Sequence, residues 1–105
     1  MRLRPIEFHI LLALTDGEHH GYAIRQEAAE RSAGTVLLEA GTLYRALRRL
    51  LESGMVAEQR HSQEEGDERR RTYRLTDAGR RALAAETERM AELVETARRR
   101  LVDRT

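Results

Sequence analysis

Between Gly41 and Ser53 the chain reads GTLYRALRRLLES, and Leu43, Leu47, Leu50 and Leu51 recur at intervals of one, three and four. Such a spacing lines one side of an α-helix and cannot line one side of a strand. The stripe predicts a helix with a core-facing side, leaving Thr42, Arg45, Arg48 and Arg49 on the outer surface and Tyr44 at the edge. Gly54 ends that helix. Met55 to Arg60 can then run as a strand, Gln63 to Glu68 makes a polar tip around Gly66, and Arg69 to Leu75 returns with Tyr73 and Leu75 on one face.

A helix with a hairpin packed beside it is the layout of a winged helix-turn-helix, whose third helix enters the major groove of DNA while the wing follows the backbone or enters the minor groove. On an isolated helix the same arginines read more simply as a solvated face, with Glu52 one turn from Arg48 to pair with it. The hairpin that follows favours the binding surface. A chain of 105 residues has room for one small domain, whose modest core makes a second subunit a plausible source of further burial. The sequence has no cysteine, which removes disulfides and thiolate metal sites. No apolar run approaches a membrane span and no signal-peptide pattern opens the chain, so the expected location is cytoplasmic.

The formal net charge is only +1, which argues against a protein that simply coats a polyanion. Distribution matters more than the total. All 19 basic side chains are arginine, and asparagine is absent along with lysine, a pattern that a G+C-rich coding sequence explains. Arginine nonetheless grips phosphate or the O6/N7 edge of guanine with two hydrogen bonds, which lysine cannot do.

The first helix starts at Pro5 and runs through Ile6, Phe8, Ile10, Leu11, Leu12 and Leu14 to a stop at Asp16 and Gly17. It is apolar nearly all round and needs cover from its own domain and from a partner subunit, with Ile6 and Ile10 the candidates for the latter. His9, within it, reads as a hydrogen-bonded packing residue. His19 and His20 form a solvated turn, since adjacent side chains do not converge on one metal ion. A second helix covers about Tyr22 to Arg31, with Ile24 and Ala28 inward and Arg25 and Glu30 outward. Thr35 to Leu38 is an extended apolar piece able to add a third strand beside the wing.

HHGYAIRQ, then EAGTLYRALRRLLESGMV, then an acidic wing and RRRTYRLTDAGRRAL, in that order and separation, resemble the PadR family of bacterial transcriptional regulators. The detailed resemblance covers roughly Pro5 to Leu83. It implies a mainly α fold with a small antiparallel β-wing: a winged helix-turn-helix over 1–76 and a long C-terminal dimerisation helix over 77–105. It also implies a dimeric repressor in which Tyr22, Thr42, Tyr44, Arg45, Arg48 and Arg49 touch double-stranded DNA and the wing arginines Arg69, Arg70 and Arg71 lie on the backbone. Where many members carry serine or threonine and then proline or glycine, this chain has Glu39 and Ala40; glutamate is a poorer helix cap and repels phosphate. By position alone, Thr42 and Arg45 are the residues best placed to read base edges.

Thr76 is a natural N-cap for the last helix, and Gly79 suggests close approach to another element. Leu83, Met90, Leu93, Val94, Ala97 and Leu101 form a long stripe that a small domain cannot bury alone, so a homodimer interface is expected there. The expected mechanism is a homodimer on an inverted-repeat operator, excluding polymerase from a promoter. A small-molecule effector is possible for a regulator of this resemblance, but no residue cluster identifies one. Neither a cofactor nor a metal is expected. The four histidines, His9, His19, His20 and His61, have no coherent catalytic partners, which argues against an enzyme. The rival reading is a winged-helix protein-protein interaction module without specific DNA binding.

Overall fold

A computed structural model describes residues 2–35, 39–60 and 71–102. The elements run α1 (Pro5–Ala13), β1 (His19–His20), α2 (Gly21–Arg31), α3 (Ala40–Glu52), β2 (Val56–Arg60), β3 (Arg71–Leu75) and α4 (Asp77–Val102). The architecture is the mainly α winged fold expected, with a small three-stranded antiparallel sheet in the order β1-β3-β2.

Pro5 forms the first turn of α1, where its missing N–H costs nothing. The helix ends sooner than its composition suggests, because Leu14 and Thr15 donate to the carbonyls of Leu11 and Leu12 at 3.1 and 3.2 Å, a tightened last turn. Ile10, Leu11, Leu14, Ile24, Leu43, Leu47 and Leu50 are the largest fully buried side chains, so α1, α2 and α3 share one core. Each such aliphatic contributes roughly 1.5–3 kcal/mol by leaving water. Met55, Val56 and Tyr73 close the core from the wing, and Leu83 closes it from α4.

Of the strand expected at Thr35 to Leu38, residues 36–38 lie outside the described residues. His19 and His20, expected as a solvated turn, form a short strand that pairs with Tyr73 and Thr72. They are extended because they lead straight into α2, and β3 offers them an unpaired edge. On its other edge β3 pairs with β2 from Val56 opposite Leu75 to Arg60 opposite Arg71.

Three elements meet at the end of α3. Gly54, with φ of +79°, takes the left-handed position that closes the helix. Its N–H donates to the Leu51 carbonyl at 3.1 Å and that of Met55 to Leu50 at 3.0 Å, the paired bonds of a Schellman motif. Thr76 then caps α4 as expected, accepting the Gly79 N–H at 3.0 Å. The same hydroxyl donates to the Gly54 carbonyl at 2.6 Å, and the Thr76 N–H donates to the Met55 carbonyl at 3.1 Å. Gly79 lies so close that a β-carbon there would stand 2.0 Å from the Met55 carbonyl oxygen and 2.8 Å from Leu75 Cδ1.

Beyond Leu83, α4 leaves the core. At about 1.5 Å per residue its 26 residues span roughly 39 Å, and the molecule measures 61 × 27 × 21 Å. Ile10 has no exposed surface and Leu83 only 7%. Both are core residues of one chain and are unavailable to a second copy, a correction to their expected place in a dimer contact. The reason is that α1 packs simultaneously against α2, α3 and α4.

Replacing Gly79 with alanine forces the new methyl into a backbone carbonyl that cannot swing aside. The expected cost is at least the ~1–3 kcal/mol typical of overpacking, a fall in Tm on the order of 10 °C for a domain of this size. Thermal denaturation followed by circular dichroism checks this, and an unchanged Tm would mean that α4 does not sit this close to Met55.

Candidate nucleic-acid interface

The buried stripe of α3 consists of Leu43, Ala46, Leu47 and Leu50, which fixes what the rest of the helix presents. Gly41, Tyr44, Arg45, Arg48, Arg49 and Glu52 line a shallow, open groove of about 360 Å³ on its outer side. Arg45 and Arg48 are exposed there. The Arg45 guanidinium donates to the Thr42 hydroxyl at 3.3 Å, so the two residues expected at base edges share one contact. Among the described residues neither Arg45 nor Arg48 is paired with a carboxylate. Glu39 caps α3 through its backbone only, with no side-chain bond.

One flank of α3 is built against α2. The Tyr44 hydroxyl would lie 3.0 Å from a β-carbon at Gly21, so the first residue of α2 must be small for the ring to lie there. Tyr44 is half-buried against the core. Tyr22, the next residue of α2, is 71% exposed. A ring left in water with its hydroxyl outward is a feature of surfaces that meet partners. His20 precedes α2 without capping it; its Nδ1 lies 3.2 Å from the Arg71 carbonyl, within reach to donate to it.

The opposite flank holds a contact that the sequence reading did not identify. Arg49 Nε donates to Glu7 Oε2 at 3.3 Å, and the Glu7 side chain is only 3% exposed while that of Arg49 is 39% exposed. The other carboxylate oxygen accepts the Arg4 N–H at 2.8 Å. The available signal was positional: an acidic residue three places after a helix cap commonly turns back to the cap's N–H. Nothing local could have shown that it also meets an arginine 42 residues further along.

In the wing, Arg71 Nη1 lies 3.9 Å from Glu58 Oε2. Exposed Arg60 is the register partner of Arg71, an unassigned arginine that adds to the basic character of this strand pair. Arg69, Arg70 and the wing tip with His61 lie outside the described residues. Thr72 is tied to Glu18 by a hydroxyl-carboxylate hydrogen bond, which anchors β3 to the turn before β1.

His19 Nε2 is 2.7 Å from Asp16 Oδ1, and this hydrogen bond first of all holds the Asp16 carboxyl below its ordinary pKa. His9 packs edge-on to Phe8, with ring centres 6.5 Å apart. It is a packing residue as expected, but its buried Nδ1 has no hydrogen-bond partner among the described residues. No described helix is long and apolar enough to cross a membrane.

The sequence profile of the transcriptional regulator PadR-like family matches residues 10–85. A 37.1 kDa protein in a Streptomyces fradiae transposon is 42% identical over 93 residues, covering 89% of this chain and 25% of that protein. The chain thus spans about a quarter of that relative's length. Among solved structures, a PadR family transcription regulator from Clostridium difficile superposes with a TM-score of 0.76 at 24% identity, covering 91% of this chain and 97% of its own. Bacillus subtilis PadR in complex with operator DNA superposes with a TM-score of 0.67 at 24% identity, covering 80% of this chain and 47% of that one. These two superpositions bear on the fold.

The two tyrosines should separate in stability. Tyr22→Ala is expected to change the unfolding free energy by less than ~0.5 kcal/mol, as surface substitutions do, whereas Tyr44→Ala should cost about 2 kcal/mol through lost packing. Urea denaturation of both variants tests the assignment; equal losses would mean that Tyr22 is packed rather than presented.

Proposed function

The chain belongs to the PadR-like family of transcriptional regulators, and from this we propose that it is a sequence-specific DNA-binding protein, acting as a homodimeric repressor on an inverted-repeat operator. One observation carries the reading: α3 turns Arg45 and Arg48, which pair with no carboxylate among the described residues, outward beside Tyr44, with its opposite side filled by core. In this assignment Thr42 and Arg45 meet base edges from the major groove. Arg48 and the phenolic hydroxyls of Tyr22 and Tyr44 donate to phosphates. Arg71 and Arg60 bring the wing strands to the backbone. The acidic residues Glu64, Glu65, Asp67 and Glu68 of the wing sequence oppose deep entry into the minor groove.

The homodimer part of the proposal rests on α4. Leu93 is 58% exposed, Val94 49%, and Leu101 and Val102 69% each. These side chains extend the line of Met90 and Ala97, and Ile6 is half-buried at the α1 side. A second copy packed against this end covers the stripe and holds two reading helices roughly 34 Å apart, one turn of DNA. Residues 77–105 thereby serve as the dimerisation segment of a reading head formed by 1–76.

Fluorescence anisotropy on the duplex upstream of the chain's own gene, against a scrambled duplex at low and moderate salt, tests the reading. Specific binding should be tighter and steeply salt-dependent. Arg45→Ala should weaken it by about 1–3 kcal/mol and relax base preference at one position. Absence of any binding at low salt would favour a protein-interaction module instead.

The dimer makes a separate demand. Val94→Asp should leave the fold intact, since the side chain is exposed within one chain, while sedimentation moves from dimer to monomer. Affinity for the full operator should fall with it. A variant that sediments like the parent would place the contact between copies elsewhere.

A further inference from the structure

Glu7 is a buried carboxylate that the proposed DNA contact does not use. It reaches α3 from the first turn of α1, and its two oxygens are occupied by different donors: the Arg4 N–H at 2.8 Å and Arg49 Nε at 3.3 Å. An ion pair with one member enclosed is costly to break, because the partner left behind is a charge without water. Arg49 is therefore tethered to the inside of the molecule. Arg45 and Arg48, on the same helix, have no such acid among the described residues.

A side chain strengthens DNA binding through counterion release only in so far as it brings unbalanced positive charge to a phosphate. The Glu7–Arg49 pair brings none, and its nitrogen toward α1 is already donating. We infer that Glu7 is a positioning residue for the reading helix, which neutralises Arg49 and withholds it from phosphate, so that Arg49 serves as the pin between α1 and α3. The inference rests on the proposed DNA-binding reading and specifies how the charge of that site is set. Two arginines of α3, not three, then contribute to the affinity shared by all sequences, and more of the discrimination is left to the Thr42–Arg45 contact. The pin also links two surfaces: Phe8 and His9, the next residues of α1, line the crevice of about 450 Å³ that α1 forms with Glu86, Arg89 and Met90 of α4.

Glu7→Gln keeps the shape but supplies one acceptor oxygen instead of two and no charge. It should free Arg49, steepen the slope of log K against log salt by about 0.9 on a scrambled duplex, and narrow the ratio of operator to scrambled binding. Arg49→Gln alone should leave the slope unchanged, and the double variant should return to the parent slope. That return separates charge from damage, because a merely structural defect at Glu7 is not repaired by a second substitution.

The opposite pattern, with Arg49→Gln lowering the slope by about 0.9 and Glu7→Gln leaving it unchanged, overturns the inference and makes Arg49 a direct phosphate ligand. Circular dichroism of each variant establishes folding. If Glu7→Gln does not fold, Arg49→Gln decides alone, an unchanged slope supporting the withheld arginine and a lowered slope refuting it. Parent protein that binds no duplex at low salt removes the DNA-binding reading, and this inference with it; parent binding with the wrong variant slopes removes only the inference.

Discussion

The Met55 carbonyl is the point on which the arrangement turns. It accepts the Thr76 N–H and lies against Gly79, while Thr76 bonds both Gly54 and Gly79. The last turn of α3, the base of both wing strands and the first turn of α4 are thus held by a few short contacts around one strand entry. Backbone contacts of this kind cannot be relieved by changing a rotamer, as a side-chain contact can. The angle between α3 and the projecting α4 is consequently a property of the chain itself. The exposed distal end of α4 is thus one end of a lever whose other end is fixed to α3.

Around α3 the neighbours divide the helix by function. The core takes one side through Leu43, Ala46, Leu47 and Leu50. Gly21 makes room for Tyr44 on one flank and Glu7 engages Arg49 on the other. The strip between these flanks is the most exposed part, and it carries Arg45 and Arg48. A helix held from three directions loses little further freedom on meeting a rigid partner, which favours affinity by lowering the ordering cost.

Much of this was legible because it depends on local rules. The three-and-four spacing of leucines gave α3 and its buried side, Gly54 its stop, Thr76 the cap of α4 and Gly79 the close approach. Apart from the early end of α1, the differences are non-local. A two-residue strand has no periodicity, so His19 and His20 read as a turn until β3 was seen to pair with them. Ile10 and Leu83 belong to apolar stripes like those of interface residues; only three-dimensional packing separates an inner side chain from an outer one. Glu7 carries no sequence signal of burial, because an acid in the first turn of a helix is ordinarily exposed and its partner Arg49 arrives from α3.

The small net charge of +1 becomes intelligible in the same terms. Several acids are balanced locally: Glu7 by Arg49, Glu58 by Arg71, and Glu86 by Arg89, with a bond of 2.7 Å. The Arg89 hydrogen bond is the main cause holding the Glu86 carboxyl below its ordinary pKa, so it stays ionised and paired at neutral pH. Asp16 is held likewise by His19. For both carboxylates the folded value is the lower one, so their stabilisation is present above the ordinary carboxylate range and is lost as pH falls through the depressed value. Balanced pairs contribute little field at a distance of a Debye length, about 8 Å in physiological salt. Among the described residues, what remains uncompensated on α3 is the pair of arginines on its presented strip, so a nearly neutral chain can still offer a polyanion a local positive surface.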